Sequence, residues 1–251
     1  MLCRSRWLRA KPVLQCDEPE GLLMAPLSVI IPTLNAAASL RRSLPSLAAF
    51  SALSMLHEVI LADGGSTDTT ARIAEESGAQ LVSSQRGRGN QLAAGAAQAT
   101  GDWLLFLHAD TVLDPGWEKA VRAFMEDPDN ANRIGYFGFR LDDASPGARW
   151  LEAAVAIRCR LLRLPYGDQG MLMSRALYHR LGGFRPIPLM EDVDFIRRAG
   201  RRRMAALGTQ ATTSAERYQQ DGYLLRPMRN LFCLTLYFLG VSPRAIAKLY
   251  G

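Results

Sequence analysis

Apolar residues in the first half of the chain fall into short unbroken blocks, and longer stretches with helical spacing separate them. Leu27-Ser28-Val29-Ile30-Ile31, Glu58-Val59-Ile60-Leu61-Ala62, Gln80–Ser83 and Trp103–Leu107 read as strands. Between and after them, Ala37–Phe50, Thr67–Ser77, Asn90–Thr100 and Pro115–Met125 read as helices; the first carries Leu40, Leu44, Leu47 and Phe50 on one face. Pro45 predicts a kink in that first helix. Gly78 and Gly101 predict stops, and Pro115 suits a first helical turn. Strands alternating with helices in this way predict parallel βαβ units. Strands that lack polar alternation are expected to be buried on both faces. Such sheets bind ligands outside the carboxyl ends of their strands.

The second half is less regular. Ile134–Leu141 predicts a strand, Ala148–Leu164 a long helix, and Gly167–Met173 a loop running into a strand. Ser174–Leu181 predicts a short helix ended by Gly182-Gly183, and Met190–Ala199, Arg226–Gly240 and Pro243–Tyr250 predict three more. The expected division is a disordered tail or misassigned start over 1–24, with Met24 as the alternative start, a main domain over 25–215, and an apolar helical appendage over 216–251.

Composition changes this picture little. With 251 residues, 48% hydrophobic and 22% charged, the chain is long enough to bury a core without staples. Cys3, Cys16, Cys159 and Cys233 form no zinc-ligand spacing and no disulfide framework, so they read as reduced thiols of a cytoplasmic protein. The net charge of +6 reads first as a basic surface without a specific partner and next as suiting a phosphate-bearing substrate; no nucleic-acid-binding motif accompanies it. The apolar run Leu231–Leu239 is far short of the ~20 residues that span a bilayer. Flanked by Arg226, Arg229, Arg244 and Lys248, it reads either as a helix packed on the domain or on a second subunit, or as a peripheral contact at the inner face of the membrane. The latter would suit a lipid-linked acceptor.

Candidate chemistry lies at the strand ends. Strand one ends in Pro32-Thr33-Leu34-Asn35, strand two in Asp63-Gly64-Gly65-Ser66-Thr67-Asp68, and strand four in His108-Ala109-Asp110. Asp63 could accept hydrogen bonds from a nucleobase or ribose, and Asp110 could hold a divalent cation. Ser66, Thr67 and Asp68 equally suit a helix cap. Arg86-Gly87-Arg88-Gly89-Asn90-Gln91 opens a helix and favours an anion there, without being a Walker loop or a dinucleotide fingerprint. Glu191-Asp192-Val193-Asp194 opens another helix, where acidic residues also compensate the helix dipole. Gly167-Asp168-Gln169-Gly170 is a polar loop, and a turn is its simplest reading.

Taken in order over residues 26–205, these segments resemble family 2 glycosyltransferases of the GT-A fold, a Rossmann-like mixed, mainly parallel sheet flanked by helices. The resemblance implies inverting transfer of a sugar from a nucleotide-diphosphate sugar, usually UDP-linked, to an acceptor hydroxyl. By it, Pro32, Thr33, Asn35, Asp63, Arg88, Gln91 and Ala109 would lie on the donor side. Asp110, with His108 beside it, would ligate Mn²⁺ or Mg²⁺; Asp192 would be the general base; Asp168, Gln169 and Glu191 would lie on the acceptor side. The chain departs from the family's usual pattern in having His108 for the first Asp of Asp-x-Asp, and Asp63-Gly64-Gly65 for Asp-Asp-Gly. A smaller subset, labelled arsenosugar-biosynthesis glycosyltransferases, carries the same Asp-Gly-Gly-Ser-x-Asp, His-Ala-Asp, Gly-Asp-Gln-Gly and Glu-Asp set. Two alternatives stay open: a nucleotide-sugar-binding protein whose site is weakened at His108, and a nucleotidyltransferase on a related sheet. The second wants a Gly- and Arg/Lys-rich loop where Pro32–Asn35 stands.

Overall fold

The computed structural model describes residues 27–47 and 55–250. The expected tail over 1–24 lies outside the described residues. Eight strands form one sheet: β1 (Leu27–Thr33), β2 (Leu56–Asp63), β3 (Gln80–Ser83), β4 (Trp103–Phe106), β5 (Thr111–Leu113), β6 (Ile134–Leu141), β7 (Met171–Ser174) and β8 (Met204–Thr213). Their spatial order is β3-β2-β1-β4-β7-β6-β8-β5. β1 to β4 are mutually parallel, and β6 pairs parallel with β8. β7 runs antiparallel to β4 and β6, and β5 antiparallel to β8. The sheet is therefore mixed and mainly parallel, as expected. Because β7 and β5 run backwards, they begin at the edge where β1, β2, β4 and β8 end.

Helices cover both faces. In chain order they are α1 (Ala37–Ser43), α2 (Thr70–Ser77), α3 (Arg88–Gln98), α4 (Trp117–Glu126), α5 (Pro146–Leu162), α6 (Arg175–Arg180), α7 (Glu191–Ala199), α8 (Glu216–Asp221), α9 (Leu225–Phe238) and α10 (Pro243–Tyr250). Side chains alternate along β1: Leu27, Val29 and Ile31 pack with Leu40, Leu44 and Trp117 on one face. Ile30 turns to the other face, among Leu92, Ala96, Leu104, Phe106 and Phe195. Both faces being covered explains why the strands lack polar alternation.

Differences from the expected elements have local causes. The helix expected over Ala37–Phe50 is α-helical only to Ser43 and continues as a 3₁₀ turn, Leu44–Leu47, where Pro45 removes a backbone donor. Its last residues lie outside the described ones. The Thr67–Ser77 helix starts at Thr70, because Asp68 holds the preceding turn; its carboxylate accepts from Thr70 N–H and hydroxyl and from Ala37 N–H, tying α2 to α1. The N-cap itself is Thr69, without a side-chain capping bond, so Asp68 holds the turn before the helix rather than capping it. The acidic opening of α7 also divides: Asp194 is buried between Arg198 at 2.8 Å and Arg185 at 3.2 Å, so it acts as an ion-pair anchor.

Three elements were not foreseen: β5, β8 and α8. β8 reads Met-Ala-Ala-Leu-Gly-Thr-Gln-Ala-Thr-Thr, weakly apolar because Ala205 to Gln210 alternate part-exposed with exposed positions. Its pairing with β6 shifts register between Tyr136 and Gly138. Gly208, at φ +76, sits within the bulge that this shift creates.

Candidate functional site

At the carboxyl edge two loops are sewn together. Asp63, at the end of β2, accepts from the Thr33 hydroxyl at 3.0 Å, from Gly65 N–H at 3.0 Å, from Ser66 N–H at 2.8 Å, and from the Ser66 hydroxyl. Burial opposes its charge, but these bonds outweigh burial and hold its pKa below the ordinary carboxylate value. Asn35 has φ +50, a conformation that Asn tolerates better than most residues, and its amide oxygen accepts from Thr67 N–H at 2.8 Å. Gln91 is buried and its amide donates to Thr33 O at 2.6 Å and Ala62 O at 3.0 Å. It clamps the ends of β1 and β2, so its side chain is occupied within the fold. Pro32 is part-exposed near the end of β1.

Beside these loops opens a cleft of about 310 Å³, lined by Arg88, His108, Asp110, Asp168, Glu191 and Asp192 among others. The backward course of β7 brings Gly167–Gln169 to this edge. Gly167 N–H donates to Asp192 Oδ2 at 2.8 Å, while Val193 N–H donates to Asp192 Oδ1 at 2.7 Å. The Asp192 carboxylate is thus aimed by two backbone amides and remains half-exposed. A Cβ on residue 167 would stand 3.0 Å from His108 Nε2 and 3.2 Å from Asp192 Oδ2, so glycine there lets imidazole and carboxylate approach one another. α7 starts from Met190 in the left-handed region, φ +65, which turns Glu191 and Asp192 into the cleft.

The electrostatics are uneven. Burial, then the cations of Arg88 and Arg217, push the His108 pKa well below its usual value, so its ring stays neutral and keeps a lone pair. Burial raises Asp168 to about 6 against the pull of Arg158, with Asp192 adding to the rise. Burial raises Glu191 to about 7, although Arg88 Nη1 stands 3.4 Å from its Oε1. Asp168 Oδ1, Glu191 Oε2 and the Tyr166 hydroxyl are buried without a hydrogen bond, while Glu191 Oε1 has only the Arg88 contact. Buried polar atoms without partners in a cleft mark places for ligand groups or water.

The structure therefore brings together Arg88, His108, Asp110, Asp168, Glu191 and Asp192. Ala109 is held alongside by its carbonyl, which accepts from the Ser43 hydroxyl at 2.7 Å. It does not bring in Gln169, expected on the acceptor side. That side chain is buried, donating to Phe137 O at 3.0 Å and accepting from Arg158 at 3.2 Å, and it stays outside the cleft lining. The sequence reading missed Thr213, Ser214 and Arg217, which enter the cleft from the end of β8 and from α8. Nothing in the pattern of 204–217 pointed toward them, because small and polar residues dominate there. Among the described residues, no group of three or more His, Cys, Asp and Glu side chains is arranged to hold a metal ion. Asp110 offers a carboxylate and the neutral His108 a ring nitrogen to the cleft, two donors of the kind a divalent cation takes.

A mixed, mainly parallel sheet with carboxylates gathered at its carboxyl edge is the GT-A type of nucleotide-diphospho-sugar transferase fold. The chain belongs to glycosyl transferase family 2, whose sequence profile it matches over residues 28–178. It is 41% identical over 99 residues to PGL/p-HBAD biosynthesis glycosyltransferases of Mycobacterium bovis and Mycobacterium tuberculosis. That alignment covers 36% of this chain and 38% of theirs. Glucosyl-3-phosphoglycerate synthase from Mycobacterium tuberculosis, in complex with Mn²⁺, UDP and phosphoglyceric acid, shares the fold. Its TM-score is 0.59 at 21% identity, over 87% of this chain and 80% of that one. S. aureus TarS in complex with UDP-GlcNAc superposes with a TM-score of 0.57 at 19% identity, over 75% of this chain and 58% of that one.

Proposed function

We propose that the protein transfers a sugar from a nucleotide-diphosphate sugar, UDP-linked, to an acceptor hydroxyl with inversion, and that Asp192 is the general base. The observation that carries this reading is the Asp192 carboxylate, aimed by two backbone amides into the cleft that also holds Asp110 and His108. In a single displacement the acceptor oxygen bonds to the anomeric carbon as its bond to the diphosphate breaks. The acceptor proton passes to Asp192. One base suffices, and a well-placed one contributes roughly 10²–10⁴-fold.

On the donor side, the Asn35 and Asp63 loops face the nucleotide. Asp63 already accepts four hydrogen bonds, so it takes one from a uracil by releasing the Ser66 hydroxyl. Arg88 at the start of α3, with Arg217, places positive charge where a diphosphate would lie. Asp110 and His108 would hold Mn²⁺ or Mg²⁺, which would neutralise charge on the leaving diphosphate. Asp168 and Glu191 lie on the acceptor side, where Asp168 Oδ1 and Glu191 Oε2, buried without a partner, suit hydroxyl groups. The GT-A unit over 25–215 carries both sides, and the following helices extend the cleft wall. The likeness to the arsenosugar-biosynthesis subset rests on four motifs; Asp110, Asp168 and Asp192 from three of them share this cleft.

Asp192→Asn tests the assignment. Turnover should fall by ~10²–10⁴-fold, while calorimetric affinity for a UDP-sugar stays within about two-fold, well under the tenfold that 1.4 kcal/mol represents. Wild-type turnover in this variant removes Asp192 as the base.

A further inference from the structure

The cleft continues from Asp192 along an apolar channel. Leu151 and Val155 of α5 form one wall, and Pro227, Leu231 and Leu234 of α9 the other. Leu231 also faces solvent. At 100° per residue, Leu224, Leu225, Met228, Leu231, Phe232 and Leu239 fall within about one third of the α9 circumference. All six are exposed, Leu225 and Leu239 by 70% and 75%. The opposite side of α9 packs on the domain, with Cys233 buried and the Tyr237 hydroxyl 3.4 Å from Asp194. On α5, Trp150, Ile157 and Leu161 form an exposed stripe about 120° around the helix from Leu151 and Val155. Single exposed apolar residues are ordinary; a continuous face at the mouth of a cleft is not.

The charge around this face selects its occupant. Residues 222–250 carry Arg226, Arg229, Arg244 and Lys248 and no carboxylate. Asp221 pairs with Arg226 and Arg229, at 2.5 and 3.2 Å, while Arg244 and Lys248 are exposed on α10. Arg160 and Arg163 are exposed at the end of α5. Two copies of this face in a two-fold contact would set cations against cations. An anionic lipid surface complements both the apolar face and the basic border. Among the described residues no helix is long and apolar enough to cross a membrane, so the contact would lie in the interface plane.

We propose that the exposed face of α9, bordered by α5 and α10, docks on an anionic lipid surface, and that the acceptor is an amphiphile entering the cleft from that surface. The acceptor clause rests on the sugar-transfer reading; the docking clause does not. The hydroxyl head would reach Asp192 while the apolar body lies between α5 and α9.

Flotation of the full chain with vesicles of phosphatidylcholine alone, or mixed with phosphatidylglycerol, tests this. Binding is expected only with phosphatidylglycerol, and it should weaken as salt rises. The double variant Leu225→Glu, Phe232→Glu should stay unbound, and Arg244→Ala and Lys248→Ala should each weaken binding about five-fold. Affinity for a UDP-sugar and melting temperature should not move in any of them. Wild-type protein that ignores anionic vesicles at low salt overturns the proposal. So does dimerisation in solution that Phe232→Glu abolishes, without vesicle binding, since the face then belongs to a second copy. Vesicle binding by a chain that binds no UDP-sugar keeps the docking surface and rejects the sugar-transfer reading.

Discussion

At the scale of single residues, the cleft places titratable groups where burial and function conflict. Glu191 is almost fully buried and its pKa is raised to about 7. A raised acid pKa gives stability that is complete below the unfolded value, near 4.5, and is lost as pH climbs through the folded one. Glu191→Gln removes that loss. Its melting temperature should match wild type near pH 5 and exceed it by a few degrees at pH 8.5, as calorimetry would read; a constant difference across that range contradicts the burial argument. Gly167 offers a second test. Alanine there must displace His108 or Asp192, because its Cβ would come within 3.0 and 3.2 Å of them. Turnover should drop at least ten-fold, while urea unfolding shows a loss of only about 1–2 kcal/mol, the range of an overpacking substitution.

At the scale of elements, single side chains hold the site by joining one segment to another. Gln91→Leu leaves Ala62 O without its amide partner and loosens the ends of β1 and β2. It should destabilise the protein by about 1–3 kcal/mol in urea titration. Gly89 is equally constrained: a Cβ there would lie 2.3 Å from Arg185 O, so the start of α3 and the segment before α7 cannot both keep their positions. The parallel strands were legible because buried strands are apolar without interruption. Their loops were legible because chemistry at strand ends uses a narrow set of residues. β8 was not, since a bulge at Gly208 and small side chains erase its signal, and with it went Thr213, Ser214 and Arg217. Gln91 and Gln169 show a different limit. Both stand in the right segments, yet an amide spent on buried carbonyls and one facing a ligand look alike in a sequence.

For the whole molecule, the cleft is assembled from loops far apart in the chain, so a ligand that bridges them should stabilise the entire fold. At about 100-fold above its dissociation constant a ligand adds roughly 2.7 kcal/mol, enough to raise the melting temperature by several degrees. A UDP-sugar with Mn²⁺ should produce such a shift in wild type. Asp110→Ala should lose most of the Mn²⁺-dependent part and keep the part seen in chelator. An equal shift with and without chelator in wild type would remove Asp110 and His108 as metal ligands.

The pairing of β5 with β8 joins Thr111 to Thr213, and β4 reaches β7 across a shorter stretch, as in Phe106 with Met171. Thr111 follows directly on His108-Ala109-Asp110. On a ribosome, that loop emerges early and can lean on β1 by way of β4 and on α1 by way of Ser43, but its β5 side has no partner until residue 213 has been made. The donor-side loops of β1 and β2 can close long before. A nascent chain would therefore form the Asn35 and Asp63 loops first and fix the far side of the Asp110 loop last, when synthesis is nearly past β8.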